Sequence, residues 1–109
     1  MGVGVGAGER AGEQRPGAVL DYLAALPRAA VPGSCFNYST GETFLLGAIL
    51  TGALRRPVAD YLADKLWRPL GMQSDAYWQL DSPNGQEFTG SGFSAALHDY
   101  ARFAAFVLN

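Results

Sequence analysis

The sequence predicts a mainly α protein with one small β-hairpin. Three observations carry this reading. Four stretches repeat apolar residues at helical spacing. One stretch, ahead of the last of them, switches to short β-prone runs around an Asn-Gly turn pair. Nowhere do strands alternate with helices as a parallel α/β sheet requires. At 109 residues the chain is one domain at most. Apolar residues make up 49%, enough for a core, and the charged fraction of 17% is below the usual quarter or so. A low charge suits a piece that lies against more protein, and it equally suits a small tight domain.

Composition excludes several classes. A net charge of -2 provides no basic footprint for nucleic acid. No apolar run approaches the length of a membrane span. The single cysteine, Cys35, rules out an internal disulfide, and a zinc site would lack its ligands. Cys35 reads as a small buried hydrophobe rather than as a partner for the only histidine, His98.

The first segment, residues 1–15, is Gly-rich and without apolar period, so it is expected to be flexible. It has no apolar h-region and does not read as a signal peptide, and the compartment stays open between cytoplasm and periplasm. Its "GVGVGA" matches a dinucleotide-binding pattern only loosely, with a polar segment where the helix should follow.

"PGAVLDYLAAL" is the first helix, with Val19, Tyr22, Leu23 and Leu26 on one face, Pro16 near its start and Pro27 as its stop. The second runs from about Thr40 to Arg55, its stripe made of Phe44, Leu45, Ala48 and Ile49. "PVADYLADKLW" is the third: Pro57 suits the first turn, Val58, Tyr61, Leu62 and Leu66 face inward, and Pro69 ends it. The fourth, "SAALHDYARFAAFVLN", places Leu97, Tyr100, Phe103, Ala104 and Val107 inward, with Ser94 as its cap. "DAYWQLDSPNGQEFTG" supplies the hairpin.

One residue sits oddly. Tyr38 stands just ahead of "STGE", Ser39–Glu42, a capping box with Ser at the N-cap and Glu three residues on. The box fixes a helix start and leaves Tyr38 outside it. A hydrophobic staple would pack Tyr38 on the fourth helical residue, but that is Thr43, a poor partner. Local physics alone therefore still favours a packing role for Tyr38, on some residue other than Thr43.

Three blocks, "LPRAAVPGSCFNYSTGETFLLGAIL", "RPVADYLADKLWRPLGM" and "GSGFSAALHDYARFAAFVLN", resemble one family in order and spacing. It is the serine hydrolase family of class C β-lactamases, D-alanyl-D-alanine carboxypeptidases, bacterial esterases and 6-aminohexanoate-dimer (nylon-oligomer) hydrolases. The resemblance covers roughly Leu26 to the C-terminus. "YSTGET" and "DAYWQLDSPNG" look closest to the esterase and 6-aminohexanoate-dimer hydrolase branch. The resemblance implies that the helices and hairpin are a fragment of the β-lactamase/transpeptidase-like α+β fold. Residues 16–109 are then its helical part, incomplete.

In that family a Ser-x-x-Lys serine attacks the carbonyl, a Tyr-x-Asn motif precedes a helix, and a Lys-Thr-Gly-type motif lies on a strand. By resemblance Tyr38 is the second motif's tyrosine, general base and then general acid. The chemistry is reasonable, because a phenol becomes a usable base beside an ammonium, and a helix N-terminus also favours its anion. Thr40 stands where β-lactamases carry an amide side chain, which favours simpler esters or linear amides over β-lactams. Gly90 and Gly92 are implied wall residues of the cleft. The only lysine, Lys65, follows Leu62 by three, so the chain holds no Ser-x-x-Lys, and it holds no Lys-Thr-Gly. The implied protein hydrolyses a small ester or amide through an acyl-serine whose nucleophile is not in these residues, so the chain alone is expected to be inactive. No metal or organic cofactor is implied. The alternative is a non-catalytic relative that binds or regulates. The partners expected are the small-molecule substrate and either the rest of its own domain or a second copy, with no nucleic acid.

Other residues carry less. His98 reads as a surface residue and Asp99 as a local cap or ion-pair partner. "TGSGFS", Thr89–Ser94, is a Gly-rich helix entry that turns tightly, with anion binding as the other possibility. Trp67, Tyr77 and Trp78 are either core or lining of an acyl pocket.

Overall fold

The computed structural model describes Val3–Gly6, as backbone, and residues 16–109. In chain order the elements are β1 (Val3–Gly6), α1 (Ala18–Ala25), α2 (Thr40–Leu54), α3 (Val58–Leu62), β2 (Ala76–Gln79), β3 (Phe93–Ser94) and α4 (Leu97–Leu108). Helix α3 runs straight on into a π-helical turn, Ala63–Trp67. All four expected helices form.

The sheet corrects the reading of the first fifteen residues. Val3–Gly6 is not a flexible segment but a strand, paired parallel to β2 with Val3 opposite Ala76 and Gly6 opposite Gln79. Strand pairing is carried by backbone groups, which glycine supplies as well as any residue, so an apolar period was not needed. Residues 1–2 and 7–15 of that expectation lie outside the described residues. Strand β2 also pairs antiparallel with β3, giving the order β1-β2-β3.

The expected hairpin is present in a modified form. Leu80 bridges Glu87, Asp81 N–H donates to Gln86 O at 2.9 Å, and Gly85 N–H donates to Ser82 O at 2.8 Å. Asn84 has φ 55°, so Pro83 and Asn84 occupy the two central positions of a type II-like turn instead of an Asn-Gly pair doing so. The regular pairing to β2 comes later, from Phe93–Ser94. Ser94 is therefore a strand residue, and Ala96, with no capping side chain, precedes α4.

The core joins α3 to the sheet. Ala59, Ala63 and Trp67, spaced by four, bury one helical face against Met72 and Ala76. Phe93 sits between Trp67, Trp78 and Tyr100, with ring centroids 5.7, 5.0 and 6.2 Å away and edge-on geometry throughout. Trp67 Nε1–H donates to Ser74 O and Trp78 Nε1–H to Phe88 O, each at 2.8 Å. Trp67 is thus a core residue and Trp78 packs beside it, while Tyr77 faces solvent.

The buried faces are rotated from those expected. In α2 the inward residues are Phe44 and Gly47, while Leu45 and Ile49 are exposed. This helix is apolar on nearly every side, so periodicity cannot select one face. In α3 the small residues Ala59 and Ala63 take the inner positions, with Tyr61, Leu62 and Leu66 half-buried beside them. In α4 the predicted inner residues Leu97, Tyr100, Phe103 and Val107 are exposed, and the residue fully buried is Asp99.

Candidate functional site

Helix α2 begins where the capping box placed it. Ser39 is the N-cap, and its Oγ accepts from Glu42 N–H at 3.3 Å. Thr43 answers from one turn on: both its amide and its hydroxyl donate to Ser39 O at 3.3 Å. The backbone carrying Tyr38 is therefore held from inside the helix. Tyr38 itself is 88% exposed, which removes the staple and every other packing role within the described residues. Its side chain is therefore free of the helix it precedes.

The Thr89–Gly92 segment lies along the same end of α2. A Cβ on Gly90 would come within 2.6 Å of Thr40 O and 2.7 Å of Thr40 Cγ2, so only glycine lets the two backbones meet. Thr89 Oγ1–H donates to Thr43 O at 2.9 Å, and a Cβ on Gly47 would overlap the Thr89 side chain. Gly92 has φ 74°, and its carbonyl accepts from Gln79 N–H at 3.0 Å, fixing the other end of the segment to β2. Thr40 and Gly90 are thus in contact, two residues from Tyr38, while Gly92 turns the chain back to the sheet. The turning role of "TGSGFS" accounts for its glycines.

An open groove of about 760 Å³ lies between α1, the loop after it and the first turns of α2. Leu23, Leu26, Pro27, Cys35, Asn37 and Ser39 are among its lining residues. Cys35 corrects the sequence reading. It is exposed, because it lies in the irregular connection between α1 and α2 and never reaches the core.

Two buried carboxylates support the scaffold, and sequence reading gave neither this role. Glu87 Oε1 accepts from Ala59 N–H at 2.9 Å and its Oε2 accepts from the Gln86 side-chain amide at 3.1 Å. It caps α3, which begins after Pro57 with no side-chain cap of its own. Asp99 pairs locally with His98, as expected, and also accepts from Gln73 N–H at 2.9 Å and Ser74 N–H at 3.0 Å, across more than twenty residues. Burial raises the Asp99 pKa, but these two amides, with His98 and Arg102 nearby, outweigh it and hold the carboxyl below its ordinary value. His98 Nε2 is 3.4 Å from Asp99 Oδ1 and half-exposed. Among the described residues no group of His, Cys, Asp and Glu has the makings of a metal site.

Comparison with known families identifies the kind of domain: the family model named Beta-lactamase matches residues 3–109, and the chain belongs to the β-lactamase family. The match extends the resemblance at its N-terminal end to include β1. No curated protein matches the chain.

Proposed function

We propose that this chain is the tyrosine-bearing helical part of a serine hydrolase that cleaves a small ester or linear amide through an acyl-serine intermediate. The esterase and 6-aminohexanoate-dimer hydrolase branch is the closest in kind. The observation that carries this reading is the exposed phenol of Tyr38 in front of a helix start locked by Ser39 and Thr43. Within the described residues no packing role competes for it.

In this reading the nucleophilic serine and its lysine come from sequence outside these residues. The Tyr38 oxygen accepts the serine proton as the serine attacks the carbonyl carbon. It then returns that proton to the leaving alcohol or amine, leaving the acyl group on serine. Water repeats the sequence, losing its proton to Tyr38 as it attacks the acyl-serine. Thr40 and Gly90 form the wall nearest the tyrosine, and the short Thr40 hydroxyl suits an ester or linear amide.

One observation favours a second reading, a non-catalytic relative that binds similar molecules: Lys65 follows Leu62 by three, so no Ser-x-x-Lys is present. Intact mass spectrometry separates the two. The complete protein, quenched during turnover of p-nitrophenyl acetate, is expected to carry one acyl group on a serine, and the 109-residue chain none. A complete protein that never acylates supports the binding reading. A stoichiometric serine adduct on the 109-residue chain overturns the assignment of the nucleophile to other sequence.

A further inference from the structure

We propose that Thr89 is a positioning residue for Tyr38, working through the notch that Gly47 leaves in α2. Its catalytic meaning rests on the hydrolase reading above. Its structural basis does not.

Three contacts form a relay. The Thr89 side chain occupies the space where a Cβ on Gly47 would stand. Its hydroxyl donates to Thr43 O at 2.9 Å, a bond between residues 46 apart in sequence. The Thr43 hydroxyl and amide in turn donate to Ser39 O, the carbonyl one residue after Tyr38. Gly90, next to Thr89, closes against Thr40 O on the same turn. The segment is therefore pinned to the first and second turns of α2 at two adjacent residues.

Geometry explains why threonine suits this place. A branched side chain fills the notch, and its hydroxyl gives Thr43 O a second donor without removing it from the helix. Glycine at 47 costs helix propensity against alanine. That cost has a structural return only if something must come close there, and Thr89 does. The helix mouth and the Thr89–Gly92 segment then move as one unit, so the backbone that carries Tyr38 keeps a fixed relation to that segment.

The test has two arms. The first uses the 109-residue chain and reads the backbone amides of Tyr38–Thr43 by 15N NMR, with no dependence on hydrolysis. Thr89→Val keeps the branched shape and removes the hydroxyl. Thr89→Ser keeps the hydroxyl, and Gly47→Ala drives the two segments apart. The expected result is shifted resonances and faster exchange of the Glu42 and Thr43 amides in Thr89→Val and Gly47→Ala, with recovery in Thr89→Ser and no change at Ala59 or Ala63. Unchanged Glu42 and Thr43 amides overturn the proposal, as does an equal change across all helices, which would mean a general loss of structure.

The second arm uses the complete enzyme. A small misplacement of a catalytic group can cost as much as about a hundredfold, so Thr89→Val should lower kcat by roughly ten- to a hundredfold with KM nearly constant. Thr89→Ser should restore most of it. An active enzyme whose kcat ignores Thr89→Val overturns the positioning role alone. An enzyme with no activity in any form defeats the hydrolase reading, and the first arm still decides whether Thr89 sets the helix mouth.

Discussion

Glu87 caps a helix that begins 29 residues before it: its Oε1 accepts the Ala59 amide proton at 2.9 Å, and the carboxylate is almost wholly buried. This bond ties the hairpin to the start of α3 and so to the core built on Ala59, Ala63 and Trp67. Glu87→Ala orphans a buried amide and is expected to cost about 1–3 kcal/mol of stability. Glu87→Gln keeps an acceptor in place and should cost less. Urea unfolding followed by tryptophan fluorescence measures both, and equal stabilities for the two variants would deny the capping role.

Asp99 predicts a pH dependence. Its carboxyl is held below its ordinary value of 3.8 in the folded chain, so its ionised form favours folding. The sign follows from linkage: this contribution is fully present above the unfolded value and is lost as pH falls through the lower folded value. Asp64 shifts in the same direction through its bonds to Arg56 and Arg68, but it is exposed and screened by solvent. Stability should therefore fall on acidification below about pH 4. Asp99→Asn should flatten most of that fall, and Asp64→Asn only a little. A pH-stability curve unaffected by Asp99→Asn would contradict the assignment.

Apolar surface gives a third expectation. Leu46 and Ile49 on α2, and Leu97, Val107 and Leu108 on α4, are each at least 64% exposed. Contiguous apolar patches beyond a few hundred Å² are unusual on a soluble monomer. The 109-residue chain should bind a hydrophobic dye or self-associate in sedimentation velocity, and Leu46→Lys with Ile49→Lys should reduce both. A monomer that binds no dye and melts in one sharp transition would instead be an independent domain.

Much of this architecture was legible in the residues, and the part that was not has physical causes. Helix starts were readable where chemistry marks them, as Ser39 and Glu42 mark α2. Helix faces were not, because α2 is apolar nearly all round and α4 exposes the stripe that periodicity would bury. Strand β1 was hidden because backbone pairing to Ala76–Gln79 leaves no signature in a run of Gly and Val. Tyr38 was legible as a residue outside a capped helix. The Thr89, Gly47 and Glu87 contacts were not, since each joins residues far apart in sequence and depends on how the hairpin folds back. A glycine at 47 inside an apolar helix was the one available sign of a close neighbour.

The most direct measurement is the steady-state kinetics of Tyr38→Phe in the complete protein, with Tyr100→Phe as control. Tyr38→Phe removes one exposed oxygen, so the melting temperature should stay the same. General acid–base catalysis typically contributes about 10²–10⁴-fold, and kcat should fall within that range. Tyr100→Phe loses the bond from its hydroxyl to Phe93 O at 3.1 Å. It should therefore lose about 1 kcal/mol of stability and keep its kcat. If instead Tyr38→Phe keeps near-normal kcat, or both variants lose activity equally, Tyr38 does not carry the proton and the catalytic account fails.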